Sequence, residues 1–185
     1  MKKSNSLFSL AFISFFIINY SLLITNCKAQ WVQTNGPSGS AIYNIAVSGD
    51  NIFAGTEGSG IFRSTDNGMN WIQVNNGLTN LNVNTIAITG NIIFIGTGAS
   101  GSGGVFLSTN NGNNWIQVNN NFPNSTVQSI VINNGNIFAG TEGAGVYLST
   151  NNGSNWVSRN SGLTDPDVFT VDIGNGTVLL IPSEN

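Results

Sequence analysis

The sequence has no histidine, one cysteine, and charged side chains at only 7% of its 185 positions. Each shortage removes a class of chemistry. Without histidine there is no imidazole to serve as a general base or to ligate a metal. The lone cysteine, Cys27, lies in a segment expected to be removed. The mature chain then has no disulfide and no thiol nucleophile, so its core alone must hold the fold. Scarce charge does not mean disorder here, because 40% of residues are apolar. Glycine is abundant (23 residues) and asparagine is visibly enriched, and amide side chains hydrate a surface without charge. This composition suits an all-β domain with many tight turns.

The N-terminus reads as a processing signal. Lys2 and Lys3 precede an apolar stretch from Leu7 to Ile24, followed by Cys27-Lys28-Ala29. Cys27 and Ala29 satisfy the small-x-small rule, so residues 1–29 are expected to form a signal peptide cleaved after Ala29. The stretch approaches membrane-spanning length, but Ser9, Ser14, Asn19 and Ser21 interrupt it. Lipidation at Cys27 is the other alternative and would place the protein on a membrane, although Asn26 is a poor residue before a modified cysteine. The expected location is secreted, periplasmic or at the cell surface. Cleavage would leave Arg63 and Arg159 against eight carboxylates, a formal charge of −6. No basic patch remains to displace counterions, which excludes nucleic acid as a partner.

Three landmarks then recur in register. Gly-Thr occurs at Gly55-Thr56, Gly96-Thr97 and Gly140-Thr141, spaced 41 and 44 residues. A serine recurs at Ser64, Ser108 and Ser149, spaced 44 and 41, and a tryptophan follows each by seven, at Trp71, Trp115 and Trp156. The period is 41, with a three-residue insertion within Ala99-Ser100-Gly101-Ser102-Gly103. A period near 40 with four short β-runs per copy is the pattern of a propeller blade. In the first copy the runs are Ile42–Val47 (strand a), Asn51–Thr56 (b), Gly60–Ser64 (c) and Trp71–Asn75 (d). Hairpin-length connectors make each copy an antiparallel meander.

Full blades are expected at 41–79, 83–122 and 126–163 of a repeat region covering 30–185. Residues 31–35 repeat the strand-d pattern, and 167–181 supply strands a and b of a further copy. The fold class is therefore an all-β propeller of four-stranded antiparallel blades. The strand inventory predicts an open arc of about three and a half blades, or a truncated product, with exposed sheet edges.

The segments S-T-D-N-G-M-N-W (Ser64 to Trp71), S-T-N-N-G-N-N-W (Ser108 to Trp115) and S-T-N-N-G-S-N-W (Ser149 to Trp156) resemble the Asp-box, or BNR, repeat. That family includes sialidases, sortilin-type receptor domains, some glycoside hydrolases and photosystem II assembly/stability factor-like propellers. The motif reads as a structural turn. Asp66, Asn110 and Asn151 can accept turn N–H groups, and Gly68, Gly112 and Gly153 supply positive φ. The serine adds a hydrogen bond, and the tryptophan covers the hairpin. A calcium loop at Asp66 lacks the EF-hand spacing and the distal Glu, and two copies have no carboxylate there, so no metal is expected.

Resemblance to sialidases implies an arginine cluster, a Tyr–Glu pair and an acidic Asp, but the mature chain has two arginines in unrelated repeat positions. With no His or mature Cys, a carboxylate pair is the remaining acid–base option. Glu57 and Glu142 share one repeat position, in the b–c loop, on one face but two blades apart, a separation expected to be too great for concerted catalysis. Gly101-Ser102-Gly103-Gly104 resembles a phosphate loop, but no helix follows it. No catalytic residues and no cofactor are expected. The leading function is a non-catalytic, exported module that binds a protein or glycan, as in the photosystem II stability/assembly factor-like class. By that resemblance its binding face carries Glu57, Gly98 to Gly104, Glu142 and Leu163 to Val168, with Asp165 and Asp167 among its candidates. A fragment of a secreted sialidase-like glycoside hydrolase is the alternative, and self-association through exposed edges is a third.

Overall fold

A computed structural model describes residues 34–37, 39–174 and 177–182. The expected leader at 1–29, and residues 31–33 of the expected leading strand, lie outside the described residues.

Three four-stranded antiparallel sheets follow one another. The first contains β1 (Ile42–Ser48), β2 (Asn51–Thr56), β3 (Gly60–Ser64) and β4 (Ile72–Gln73). The second contains β5 (Val83–Thr89), β6 (Ile92–Ala99), β7 (Ser102–Ser108) and β8 (Ile116–Gln117). The third contains β9 (Val127–Asn133), β10 (Asn136–Thr141), β11 (Gly145–Ser149) and β12 (Val157–Ser158). A two-stranded sheet of β13 (Val168–Gly174) and β14 (Thr177–Pro182) completes the series. Each sheet is a meander in sequence order, hence one blade, and the described residues contain no helix. The innermost strands pack in succession, β1 on β5, β5 on β9 and β9 on β13. Among the described residues the first and last sheets do not pair, so the propeller is open.

The fourth strand of each blade is shorter than its sequence suggests. Trp71–Asn75 reads as a strand, yet regular pairing covers Ile72–Gln73, and one further bond runs from Val74 N–H to Ile61 O at 2.9 Å. Asn75 ends it because its side chain turns into the start of β3, where Oδ1 accepts Ile61 N–H at 2.8 Å. The pattern repeats at Asn119 with Val105 and at Asn160 with Val146, both 2.8 Å.

Apolar side chains bury themselves between blades. Phe53, Ile61 and Val74 of blade one pack with Val83, Ile86, Ile93, Ile95 and Trp115 of blade two. Phe94, Val105 and Phe122 of blade two pack with Val127, Ile130, Ile137 and Trp156 of blade three. Val146 meets Val168 and Val171 of the partial blade. Strands are thus apolar on both faces, and the burial of a large side chain contributes about 1.5–3 kcal/mol.

The Gly-Thr landmark acquires a reason at this interface. A Cβ on Gly55, Gly96 or Gly140 would lie 2.7, 2.5 or 2.8 Å from Val83, Val127 or Val168 of the next blade. The partner threonines are fully buried, and the Thr56 and Thr141 hydroxyls donate to Gly60 O and Gly145 O at 2.8 and 2.7 Å. In blade two the acceptor is Gly104 O, at 3.2 Å, so the three extra residues fall between Thr97 and Gly104. They lengthen the hairpin by the pairs Gly98↔Gly103 and Ala99↔Ser102, closed by a turn with positive φ at Ser100 and Gly101.

Candidate ligand-binding face

The repeated octapeptides form three nearly superimposable turns. Ser64 Oγ donates to Asp66 Oδ1 at 2.8 Å and accepts Gly68 N–H at 2.9 Å. Asp66 Oδ1 also accepts Asn70 N–H at 2.8 Å. Ser108 with Asn110 and Gly112, and Ser149 with Asn151 and Gly153, make the same bonds within about 0.2 Å. Two residues in succession take positive φ, Asn67-Gly68, Asn111-Gly112 and Asn152-Gly153. Asparagine tolerates that region, which explains its place before each glycine.

The tryptophans do more than cover their own hairpins. Trp115 Nε1 and Trp156 Nε1 each donate at 2.7 Å to the preceding blade, to Val74 O and Val118 O. Trp71 Nε1 instead donates to Gly68 O of its own turn at 3.0 Å. Arg63 reaches forward from β3, donating to Asn111 O at 2.6 Å and Asn113 Oδ1 at 3.0 Å. One of the two cations among the described residues thus braces the second octapeptide turn.

The Asp66 carboxyl lies below the ordinary carboxylate range, mainly because it accepts the Asn70 backbone N–H, then the Asn70 side chain and Ser64. A depressed folded value means the stabilisation is full above the unfolded pKa and is lost as pH falls through the folded one. Asp66→Asn should therefore be less stable than wild type at neutral pH, with the gap closing in acid. Thermal melts of both proteins across acid pH check this; a constant gap would contradict it.

The opposite end of the blades carries the candidate site. An open cavity of about 360 Å³ is lined by Tyr43, Glu57, Asn82, Asn84, Gly98, Ala99, Ser100, Thr126, Gln128 and Glu142. Glu57, Gly98 to Ser100 and Glu142 come from b–c hairpins, while Asn82 and Thr126 come from d–a links. Three remaining residues come from inner strands through a repeated irregularity. Register slips between Ile42 and Asn44, Val83 and Thr85, and Val168 and Thr170, and opposite Gly140/Thr141 in β9. The residues left unpaired are Tyr43, Asn84, Gln128 and Phe169, one per blade. A bulge re-aims its side chain, so unlike residues are presented at one level around the inner strands.

The lining is polar and partly fixed. Asn84 Nδ2 donates to Gly98 O at 2.9 Å and to Val127 O at 3.2 Å, tying the bulge to the long hairpin. Gly101 N–H donates to Thr126 Oγ1 at 3.1 Å, holding the hairpin tip. Partial desolvation first, then the hydrogen bond with Glu57 and its charge, raise the Tyr43 hydroxyl above its ordinary value. Glu57 and Glu142, from blades one and three, share this cavity. Asp165 and Asp167 are not among its lining residues; Asp165 Oδ1 accepts Asp167 N–H at 2.8 Å in a local turn. Among the described residues no group of three or more His, Cys, Asp or Glu side chains is arranged to hold a metal. The bulge residues escape sequence inspection because they share a position and not a residue type.

Blades, inner bulges and an axial cavity define a β-propeller. The pattern of the DUF6242 β-propeller domain matches residues 18–137, and the chain belongs to that family. Among solved structures it is similar to an ancestral GH74 enzyme at 27% identity and TM-score 0.64, covering 81% of this chain and 23% of that one. It is also similar to YCF48 from Cyanidioschyzon merolae (16% identity, TM-score 0.58, 84% of this chain and 54% of that one). A third likeness is to YCF48 bound to D1 peptide (18%, TM-score 0.55, 68% of this chain and 41% of that one). The chain thus spans about a quarter of the GH74 enzyme and about half of YCF48 or less. Comparison with curated proteins finds no match.

Proposed function

We propose that this chain is an exported, non-catalytic propeller module that binds a protein or glycan in the axial cavity. The observation that carries the reading is the bulge in each inner strand. It places Tyr43, Asn84 and Gln128 side by side in one cavity, with Glu57 and Glu142 at its margin. One aromatic ring surrounded by amides, hydroxyls and carboxylates suits a ligand rich in hydrogen-bonding groups. The peptide-bound YCF48 structure offers a peptide as one pattern for such a ligand, and the GH74 likeness offers a glycan as the other. Export with cleavage after Ala29 belongs to the proposal, and the mass of the mature chain checks it.

Screening the mature chain on glycan and peptide arrays should return ligands whose affinity falls at least tenfold, about 1.4 kcal/mol, in Tyr43→Ala and Gln128→Ala. Both residues are at least partly exposed, so melting temperature should stay unchanged. Binding indifferent to both substitutions would move the site elsewhere. The rival reading, a fragment of a secreted sialidase-like glycoside hydrolase, draws on the small share of the GH74 enzyme spanned and on the two carboxylates in one cavity. Hydrolysis of chromogenic glycosides that disappears in Glu57→Gln and Glu142→Gln would establish it in place of the first.

A further inference from the structure

The wall of the axial cavity is unbalanced in charge and in hydrogen-bonding sense. Glu57 and Glu142 are both exposed at its margin, and no lysine, arginine or histidine lines it. Of the two cations among the described residues, Arg63 is engaged at the opposite end of the blades, with Asn111 O and Asn113 Oδ1. The other, Arg159, follows β12 at the outer edge of blade three and is not part of the lining. Asp167 adds a further carboxylate beside the third-blade hairpin, its Oδ1 3.8 Å from a Cβ placed on Gly143.

The backbone fixes the points from which the two glutamates project. Glu57, Gly98 and Glu142 hold one position in successive blades, and each donates its N–H to the residue just before the inner strand of its own blade. The acceptors are Ala41 O at 2.9 Å, Asn82 O at 3.0 Å and Thr126 O at 3.0 Å. Where blade two has glycine at that position, Asn84 supplies the polar wall. Both hydrogens of its Nδ2 are engaged, by Gly98 O and Val127 O, which leaves Oδ1 as its open group. Tyr43 bonds its hydroxyl to Glu57, and its ring is 49% exposed. The remaining polar side chains of the lining are neutral amides and hydroxyls. Charged acceptors and one aromatic face therefore border a space of about 360 Å³.

Building on the reading of this cavity as the ligand site, we propose that the ligand is a peptide and that the cavity receives one of its arginine side chains. A guanidinium is permanently charged, has five N–H donors and no acceptor, and stacks on aromatic faces. Its fork can engage a carboxylate bidentately while its plane lies on the Tyr43 ring. Lysine brings the charge without the fork or the plane. A neutral sugar hydroxyl both donates and accepts, so it draws no benefit from the uncompensated charge. An acidic ligand is repelled.

Short peptides of mixed sequence, each made with arginine, lysine, citrulline or glutamate at one central position, test this by fluorescence anisotropy with the purified protein. The arginine form should bind roughly tenfold tighter than the citrulline form, which keeps the shape and lacks the charge. Lysine should fall between them, glutamate should not bind, and added salt should weaken the arginine form. In the double variant Glu57→Gln/Glu142→Gln the arginine and citrulline forms should bind alike. Both side chains are exposed, so its melting temperature should match wild type. Equal binding of arginine and citrulline forms that still requires Tyr43 and Gln128 overturns the arginine assignment and leaves the cavity as the ligand site. Arginine-dependent binding untouched by Tyr43→Ala, Gln128→Ala and the double variant overturns both. Neutral oligosaccharides held through Tyr43 and Gln128, with no peptide form bound, also overturn the proposal, as does a lysine form as tight as the arginine form.

Discussion

Gly60→Ala is expected to lower the midpoint of thermal unfolding by roughly 10 °C, whereas Gly58→Ala, two residues earlier, should cost far less. Both glycines have positive φ, 81° and 74°, so both substitutions meet the left-handed penalty of about 1 kcal/mol. Their surroundings separate them. A Cβ on Gly58 meets nothing within 4 Å, but one on Gly60 would lie 2.2 Å from Asn75 Oδ1. Asn75 cannot retreat without losing its bond from Ile61 N–H at 2.8 Å and its own donation to Ser59 O at 3.0 Å. Ile61 is completely buried, so an orphaned N–H there adds about 1–3 kcal/mol. The total of about 2–4 kcal/mol is a large fraction of what a domain has. Urea unfolding of the two variants beside wild type measures the difference. Equal effects would show that the glycine–asparagine lock contributes nothing beyond backbone strain.

That lock also marks where reading the sequence stops. Glycine at 60, 104 and 145 and asparagine at 75, 119 and 160 are visible as repeated letters, each pair fifteen residues apart. What couples them is a contact across β3 and the end of strand d. Spacing along a chain carries no information about which side chain fills the space another lacks. The blade order, by contrast, was legible because it is local. Hairpin-length connectors force neighbouring strands to pair antiparallel. The partial fourth blade followed from the same bookkeeping of strands, ending with β13 and β14.

The candidate site was legible only as a face. Strand direction places b–c hairpins at one end of every blade, so Glu57, Glu142 and the insertion after Gly98 could be assigned together. The inner wall could not. Tyr43, Asn84, Gln128 and Phe169 occupy one structural position with four different side chains, and a bulge leaves no fixed residue signature except glycine in some types. The insertion was likewise visible as three extra residues, but its conversion into two added strand pairs depended on Ser100 and Gly101 adopting positive φ together.

Trp115→Ala is expected to destabilise the protein by about 3–5 kcal/mol, the range for emptying a buried aromatic site, and Trp71→Ala by clearly less. The two tryptophans close identical octapeptide turns, so a role confined to the turn predicts equal losses. Position in the arc makes them unequal. Trp115 is 4% exposed, belongs to the first inter-blade cluster, and donates from Nε1 to Val74 O at 2.7 Å. Its backbone N–H also donates across the junction, to Asn76 O at 2.9 Å. Trp71 is half-buried and returns its Nε1 to Gly68 of its own turn. Trp115→Phe separates packing from hydrogen bonding, because it keeps most of the ring while leaving Val74 O without the indole donor; about 1–2 kcal/mol is expected. Chemical denaturation of the three variants reads all of these losses on one scale. If Trp71→Ala and Trp115→Ala lose the same stability, the tryptophans act within their own hairpins and the blades are held by the aliphatic clusters alone. If they differ as expected, the octapeptide is a device for fastening each blade to the one before it.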